Sequence, residues 1–542
     1  MFGDTQVTDI WHDYQIGLDY LNSVNLFSKV ETCFNFMNGD QWNGLKYGTE
    51  RPPMLNILQP MMKSSTALVG HNRAIINHTS MNYGAAREQL LEICRLLDMN
   101  ARKNWEKMKL DKVIWDVLQD AYIAGDSFLY FYDDEAVPEG SILCEQIDTT
   151  NIMFGDEQQP DIQKQPYILI IQRKDIKDVK EMARLNGCSE EEIDSIQPDS
   201  DTELQINGDL EVRNHQKLTV VAKMWKQDGF VHIARATKTV LIQPDTEIPL
   251  HSYPIAKYTW KLRKGLARGD GDTWDKIPNQ ISINKALYRL EQSVKNTSYP
   301  IKIYRQGAIT PDQIERLNQP GASIAVKGSP DMGIPNIISY LQPASVNGIA
   351  ITYWQQLMQY TRDLSGTGDN LENVNPEQAS GVAIAEVRQA KELNSNMQSA
   401  YYKQFIEDMA NIWYEMLVAY NPDGVVIYDE NDFPHLITPQ ELISRKVSIK
   451  ITIVSTDATY VALKDANLKE LFTQGAITFE EYVGSLDDTS SLPVAELQNI
   501  VKERQIRAEQ NRAMGNMYDS GFGAMQNLQG MQQQGVETFM GG

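Results

Sequence analysis

The chain has 542 residues, 42% of them apolar and 23% charged, with a formal charge of −22. That length exceeds what one core needs, so roughly two to four domains are expected. A chain this acidic is no general wrapper of nucleic acid, because neutralising phosphates takes an excess of Lys and Arg. Cys33, Cys94, Cys144 and Cys188 form no C-x-x-C pair and match no zinc spacing, which predicts reduced, buried thiols and assembly inside a cell. The N-terminus lacks the basic and apolar regions of a signal peptide. Apolar runs such as YILII fall far short of the roughly 18 residues that span a bilayer, so a soluble chain with no membrane partner is expected.

Residues 6–37 carry Trp11, Tyr14, Ile16, Leu21 and Leu26 at helical spacing, with a break at 22–28. NGDQWNG (38–44) reads as a turn, 54–77 as a helix and 87–122 as one or two more. AYIAGDSFLYFYDD (121–134) passes into an aromatic strand. Residues 141–260 hold short strands, among them YILIIQR, KLTVVAKMWKQ, FVHIARAT and KTVLIQ. Residues 185–212 carry nine carboxylates without a Lys or Arg and read as a solvated helix and loop.

Residues 257–305 reverse the sign, with eleven Lys or Arg against four Asp or Glu, a local balance of +7. Within them 273–297 reads as a helix, with Ile277, Ile281, Leu287, Leu290 and Val294 on an apolar side. Ser282, Lys285, Arg289, Gln292 and Asn296 form a polar stripe. RGDGD (268–272) reads as a turn, with Asp272 as the N-cap of that helix. PIKIYRQG and SIAVKG read as strands flanking a short helix near 311–318, and a further helix covers about 345–364. Residues 380–420 hold the longest helical pattern, about 60 Å of helix, with a kink expected at LNSN (393–396). Strands return at 424–455 and helices at 462–514. The Gly- and Gln-rich end, 521–542, has one charge and no core-forming period.

No GK dipeptide, H-x-x-x-H or G-x-S-x-G occurs, so phosphate-loop, zincin and serine-hydrolase chemistry lack their motifs. No cofactor, metal ligand or catalytic residue is assigned. The loop between the two long helices contains Gly366, Gly368 and several Asn, as a nucleotide cradle does. Yet 363–387 holds Asp363, Asp369, Glu372, Glu377 and Glu386 and no Lys or Arg. A phosphate cradle needs donors and positive potential, so the loop reads as a flexible, acidic collar.

Several segments, in order, resemble the portal proteins of tailed bacteriophages. FMNGDQW (36–42) is similar to the aromatic-Gly-x-Gln-Trp signature near portal N-termini. RPPMLNILQPMMKSSTALVGHNRAII (51–76) is similar to the segment after it, and AYIAGDSFLYFY to the helix-to-strand Gly step. GDGDTWDKIPNQISINKALYRLEQSVKN, with its Gln-x-x-x-Asn pattern, resembles the start of the stem. Ser380, Gly381 and Ile384 match the start of the long helix.

The resemblance covers about 6–515 and implies an α+β portal-type ring subunit. Its parts would be a wing at 1–260, a first stem helix at 261–298, a clip at 299–343 and a second stem helix at 344–364. A tunnel loop at 365–380, a long kinked helix with wing strands at 381–457, a helical crown at 458–515 and a flexible tail at 516–542 would follow. It implies a dodecameric homo-oligomer at one capsid vertex of the virion, assembled in the host bacterial cytoplasm. Double-stranded DNA would pass through its channel during packaging and ejection. The partners would be the major capsid protein, the terminase large subunit and a head-tail adaptor protein, with ATP hydrolysis left to the terminase. The tunnel loop would supply Gly366, Gly368, Asp369, Asn370, Glu372, Asn373, Asn375, Glu377 and Gly381 to the channel. Lys302, Arg305, Arg316 and Lys327 would belong to the clip.

Lys285 and Arg289 are candidate DNA-facing residues of the stem, the alternative being a solvated or intersubunit salt-bridged face. Two other readings remain: a head-completion or tail protein without a channel, and a Mg-dependent DNA-processing enzyme using Asp270 and Asp272.

Overall fold

Asn25, held at φ 53°, breaks the N-terminal helical pattern. Asn tolerates the left-handed region better than most residues, so the expected interruption gives α1 (Val7–Ser23) and α2 (Leu26–Asn38). The chain is described by a computed structural model covering residues 7–42, 52–70, 72–80, 87–133, 142–199, 217–298, 301–304, 309–316, 323, 325, 338–341, 348–364, 381–428, 433–438, 447–455, 458–486 and most of 490–504. It is a mixed α+β chain in two compact units, residues 1–70 with 74–452, and 71–73 with 453–542.

The helix expected over 54–77 covers only α3 (Leu58–Gly70), and β1 (Asn72–Ser80) follows. Gly70 lies where a Cβ would come within 2.8 Å of Leu118, and the chain beyond it is extended and pairs with a strand from the far end of the sequence. Next come α4 (Arg87–Lys107), α5 (Leu110–Ala124) and β2 (Asp126–Asp133). Gly125, at φ 110°, makes the corner between α5 and β2.

β3 (Ile142–Ile147) and β9 (Ile255–Thr259) flank β2 in an antiparallel sheet. β4 (Ile152–Phe154), β5 (Tyr167–Asp175), β6 (Lys217–Gln227), β7 (Phe230–Ala236) and β8 (Leu241–Ile248) form a five-stranded antiparallel meander. α1 covers one face, packing Ile10, Tyr14 and Leu21 on Leu169, Val221 and Ala234. α6 (Ile176–Leu185) and α7 (Glu190–Ser195) cover the other with Val179, Ala183 and Ile193 on Leu218, Val220 and Ile242. Both faces are buried, which explains the near-continuous apolar run of β6. The acidic segment after 185 begins with α7, closed by a capping box between Ser189 and Glu192. Its part from 200 to 216 lies outside the described residues.

α8 (Ile277–Ser298) and α10 (Gly348–Leu364) pack side by side as a hairpin. Between them lie β10 (Ile301–Tyr304), α9 (Pro311–Arg316) and β11 (Ile338–Leu341), with β10 and β11 paired antiparallel. Most of SIAVKG lies outside the described residues. α11 (Gly381–Tyr420) runs 40 residues as one continuous helix through the 393–396 segment. Its second half buries Tyr402, Phe405, Met409, Trp413 and Met416, packing on β9, β2 and α3. β12 (Val425–Tyr428), β13 (Pro434–Ile437) and β14 (Val447–Ser455) follow. β12 pairs with β13, and β14 with β1. The second unit holds α12 (Ala458–Thr473) and α13 (Phe479–Gly484), whose Tyr482 and Val483 enter a small core with Leu486 and Val494. The Gly- and Gln-rich tail lies outside the described residues.

The cysteines are free; Cys33 and Cys94 are buried, whereas Cys144 and Cys188 are only half-buried. Among the described residues no helix is long and apolar enough to cross a membrane.

Asp120 of α5 accepts a hydrogen bond from Gln146 Nε2 (2.7 Å). Burial, then the nearby Asp148 and Asp116, push its carboxyl up to about 7. A raised carboxyl stabilises the fold while protonated. That contribution is complete below the unfolded value near 4 and is lost as pH rises through about 7. Asp120→Asn keeps the acceptor for Gln146 and removes the charge. The variant is expected to be about 1–2 kcal/mol more stable than the parent at pH 8, with the gap closing below pH 4 in urea titrations.

Candidate functional site

Three segments that lie far apart in the chain meet at the foot of the α8–α10 hairpin. Gln280 and Asn284 sit one turn apart on α8, with exposures of 0% and 2%. The extended segment before α3 lies against them. Ile57 N donates to Gln280 Oε1 (3.2 Å), and Gln280 Nε2 donates to Leu55 O (2.7 Å) and Asn284 Oδ1 (3.0 Å). Leu55 N donates to Asn284 Oδ1 (3.3 Å). The spacing has a geometric reason. Residues i and i+4 of a helix are about 6 Å apart along its axis, close to the roughly 6.6 Å repeat of the groups on one edge of an extended strand. Two side-chain amides thus serve the segment as a strand edge would.

The seam continues into the C-terminal end of α2. Asn284 Nδ2 donates to Gln41 Oε1 (2.6 Å), and Gln41 Nε2 to Phe36 O (2.9 Å). Asn56 Nδ2 donates to Met37 O (2.9 Å), while its Oδ1 accepts from Leu58 N (3.2 Å) at the start of α3. Ile57, Met61 and Ile283 pack beside it with Trp354, Leu357 and Met358 of α10. The hairpin foot is therefore fixed by buried amides as well as by apolar contact.

The turn 268–272 forms a second, ionic seam. Asp272 does not cap α8; Thr273 precedes the short 3-10 turn Trp274–Lys276 that leads into the helix. Lys261 lies 2.5 Å from Asp272 Oδ1, and Lys276 donates to Oδ2. Burial opposes the Asp272 charge, but the two ammonium groups outweigh it and hold the carboxyl below its usual range. Lys29 (2.8 Å) and Arg263 (3.4 Å) take the two oxygens of Asp270. With each carboxylate oxygen facing a cation, this turn opposes a divalent metal ion, against the DNA-processing alternative for these residues. Asp126, 2% exposed, accepts from Gly269 N (2.7 Å) and Thr259 Oγ1 (2.5 Å) and meets Lys257 at 3.4 Å. Gly271 allows the close approach, because a Cβ there would lie 2.6 Å from Ile123 O.

Much of the basic band of the sequence is thus neutralised within the chain. Lys257, Lys261, Arg263, Arg268, Lys276 and Lys295 all have carboxylate partners. Lys285 and Arg289 are exposed on α8, as the polar stripe predicts. The apolar side is corrected: Val294 is 48% exposed, and the deepest positions are Gln280, Ile283 and Asn284. Lys302 lies on β10, where its backbone pairs with Tyr340, and Arg316 is exposed at the end of α9. Gly381 opens α11. Arg305, Lys327 and the loop residues Gly366, Gly368, Asp369, Asn370, Glu372, Asn373, Asn375 and Glu377 lie outside the described residues. Gln41 and Asn56 stand in the sequence only as members of the FMNGDQW and RPPMLNILQ segments, with no partner assigned; Asp126 and Glu157 carry no local signal, because the cations they meet come from distant segments.

No family model matches this sequence, and no curated protein matches it at a significant level.

Proposed function

We propose that this chain is a portal-type subunit, a structural component of a homo-oligomeric ring through which double-stranded DNA is packaged and ejected. One observation carries the reading. The α8–α10 hairpin bears a small β10/β11 unit between its helices, and the residues of FMNGDQW, RPPMLNILQ and Gln-x-x-x-Asn meet at its foot. Those are the segments through which the sequence resembles portals, and they act here as one clamp.

In this reading α8 and α10 are the stem, the 299–343 segment is the clip that meets terminase and adaptor, and α12 and α13 belong to the crown. The exposed face of α10 favours assembly: Ile349 (76%), Tyr353 (56%), Tyr360 (60%) and Leu364 (74%) step along one side of the helix. A stripe like this is characteristic of a surface covered by a partner. A ring repeats each side chain around its axis, so the exposed Lys285 and Arg289 would become two circles of charge facing either DNA or a neighbouring subunit.

Electron micrographs of the purified chain are expected to show closed rings with a central channel. Monomers or open fibres would overturn the proposal. Given rings, Lys285→Glu combined with Arg289→Glu is expected to lower DNA packaging while leaving ring assembly intact. Packaging at the parental level would remove the DNA role of these two residues.

A further inference from the structure

A cleft of about 210 Å³ opens between the last turns of α4 and the last turns of α11. Its two walls differ in chemistry. Asn100, Lys103, Asn104 and Lys107 follow one another at helical spacing along α4 and supply N–H donors. Trp413, Leu417 and Tyr420 line the other side from α11, with Ile142 and Val425 contributed by strands. Two wall donors have no acceptor among the described residues: Asn100 Nδ2 and Trp413 Nε1 are buried there without a hydrogen-bond partner. Trp413 is 4% exposed. Asn100 Oδ1 is already used, accepting from Asn104 Nδ2 (2.9 Å). Buried donors are nearly always satisfied in folded proteins, so two in the wall of one cleft point to an acceptor supplied from outside.

We infer that this cleft binds an acidic peptide segment of a partner protein, seating one Glu or Asp side chain beside an apolar neighbour. Size, lining and charge favour this occupant. The volume is below the roughly 300–1,000 Å³ of small-molecule sites and suits one or two side chains. A carboxylate would accept from the Lys107 ammonium at the rim, and from Asn100 Nδ2 and Trp413 Nε1 once the side chains over these two buried donors shift to admit it. The apolar neighbour would lie on Leu417 and Val425. Asp133 also lines the cleft and disfavours a doubly charged phosphate more than a singly charged carboxylate. Around the cleft, residues 102–112 carry Arg102, Lys103, Lys107, Lys109 and Lys112, all exposed, against Glu106 and Asp111. That local excess of positive charge, in a chain at −22, steers an acidic partner toward this end of the unit.

The test is fluorescence anisotropy of the full chain with a fluorescein-labelled Gly-Leu-Glu-Leu-Glu peptide, and with Gly-Leu-Gln-Leu-Gln as its uncharged counterpart. Saturable binding of the acidic peptide is expected, about tenfold tighter than its counterpart. Lys107→Glu and the near-isosteric Asn100→Asp are each expected to weaken it about tenfold. Lys107 is exposed, so an unchanged thermal melting curve of its variant excludes misfolding as the cause. The inference is overturned by absent or non-saturable binding, by equal affinity for the two peptides, or by parental affinity in both variants. It is also overturned if inorganic phosphate or a DNA duplex displaces the peptide at lower concentration than acetate does, since the cleft would then be a phosphate site.

Discussion

Gln280→Ala is expected to lower the stability of the first unit by about 3–5 kcal/mol, because the truncation leaves one buried and one half-buried backbone group without partners. Ile57 N–H would lose its acceptor and Leu55 C=O its donor. Among the described residues no strand pairs with the segment carrying them to replace the amide. A lost side-chain contact alone would cost far less, so the magnitude separates a clamp from ordinary packing. Asn284→Ala should cost nearly as much, since Leu55 N and Gln41 Oε1 both lose their partner. The two changes should not add, because Gln280 donates to Asn284 and each truncation already disturbs the other. Amide exchange gives the local readout. The Leu55 and Ile57 protons should exchange much faster in Gln280→Ala, while those of the β5–β6 ladder keep their protection. Parental exchange at both amides would show that the clamp does not hold this segment.

The clamp was only partly legible in the sequence. The Gln-x-x-x-Asn spacing was visible, but its partners lie more than two hundred residues earlier, at 41 and 55–57. Periodicity scores apolar residues, so it put buried Ile277 and exposed Val294 on one inward side of α8 with Ile281, Leu287 and Leu290, and overlooked the deeper amides Gln280 and Asn284. Charge counting had the same limit. The +7 band was real as a sum, yet its neutralising acids include Asp126 and Glu157, contributed by distant elements. Local signals fared better where the physics is local. The α1–α2 break, the meander strands and the long α11 follow from residue type and spacing alone. β1 did not, because the apolar spacing of α3 continues past Gly70 and only the tertiary pairing with β14 resolves it. The cleft joins two helices about three hundred residues apart, and no sequence pattern links them.

Arg268→Ala is the other change expected to cost about 3–5 kcal/mol, for an electrostatic reason. The guanidinium is only 7% exposed and uses its whole fork. Nε donates to Glu157 (3.1 Å), one terminal nitrogen to Thr149 O (2.8 Å), and the other to Ile152 O (2.7 Å). It also lies 5.1 Å from the centre of the Phe154 ring. Lysine has one point charge and no planar fork, so Arg268→Lys is expected to recover little of the loss. Glu157 supplies the second readout. Burial pushes its carboxyl up even in the presence of Arg268, whose charge partly offsets the shift. Without Arg268 the offset disappears and the folded-state value rises further above the unfolded one. The charged form then destabilises the fold, so the defect should be largest above that raised value and shrink as acid protonates Glu157. Glu157→Gln in the Arg268→Ala background should recover part of the stability at neutral pH, because it removes a buried charge that has lost its partner. A defect that is constant with pH, and that Glu157→Gln does not relieve, would assign the loss to packing against Phe154 rather than to the ion pair.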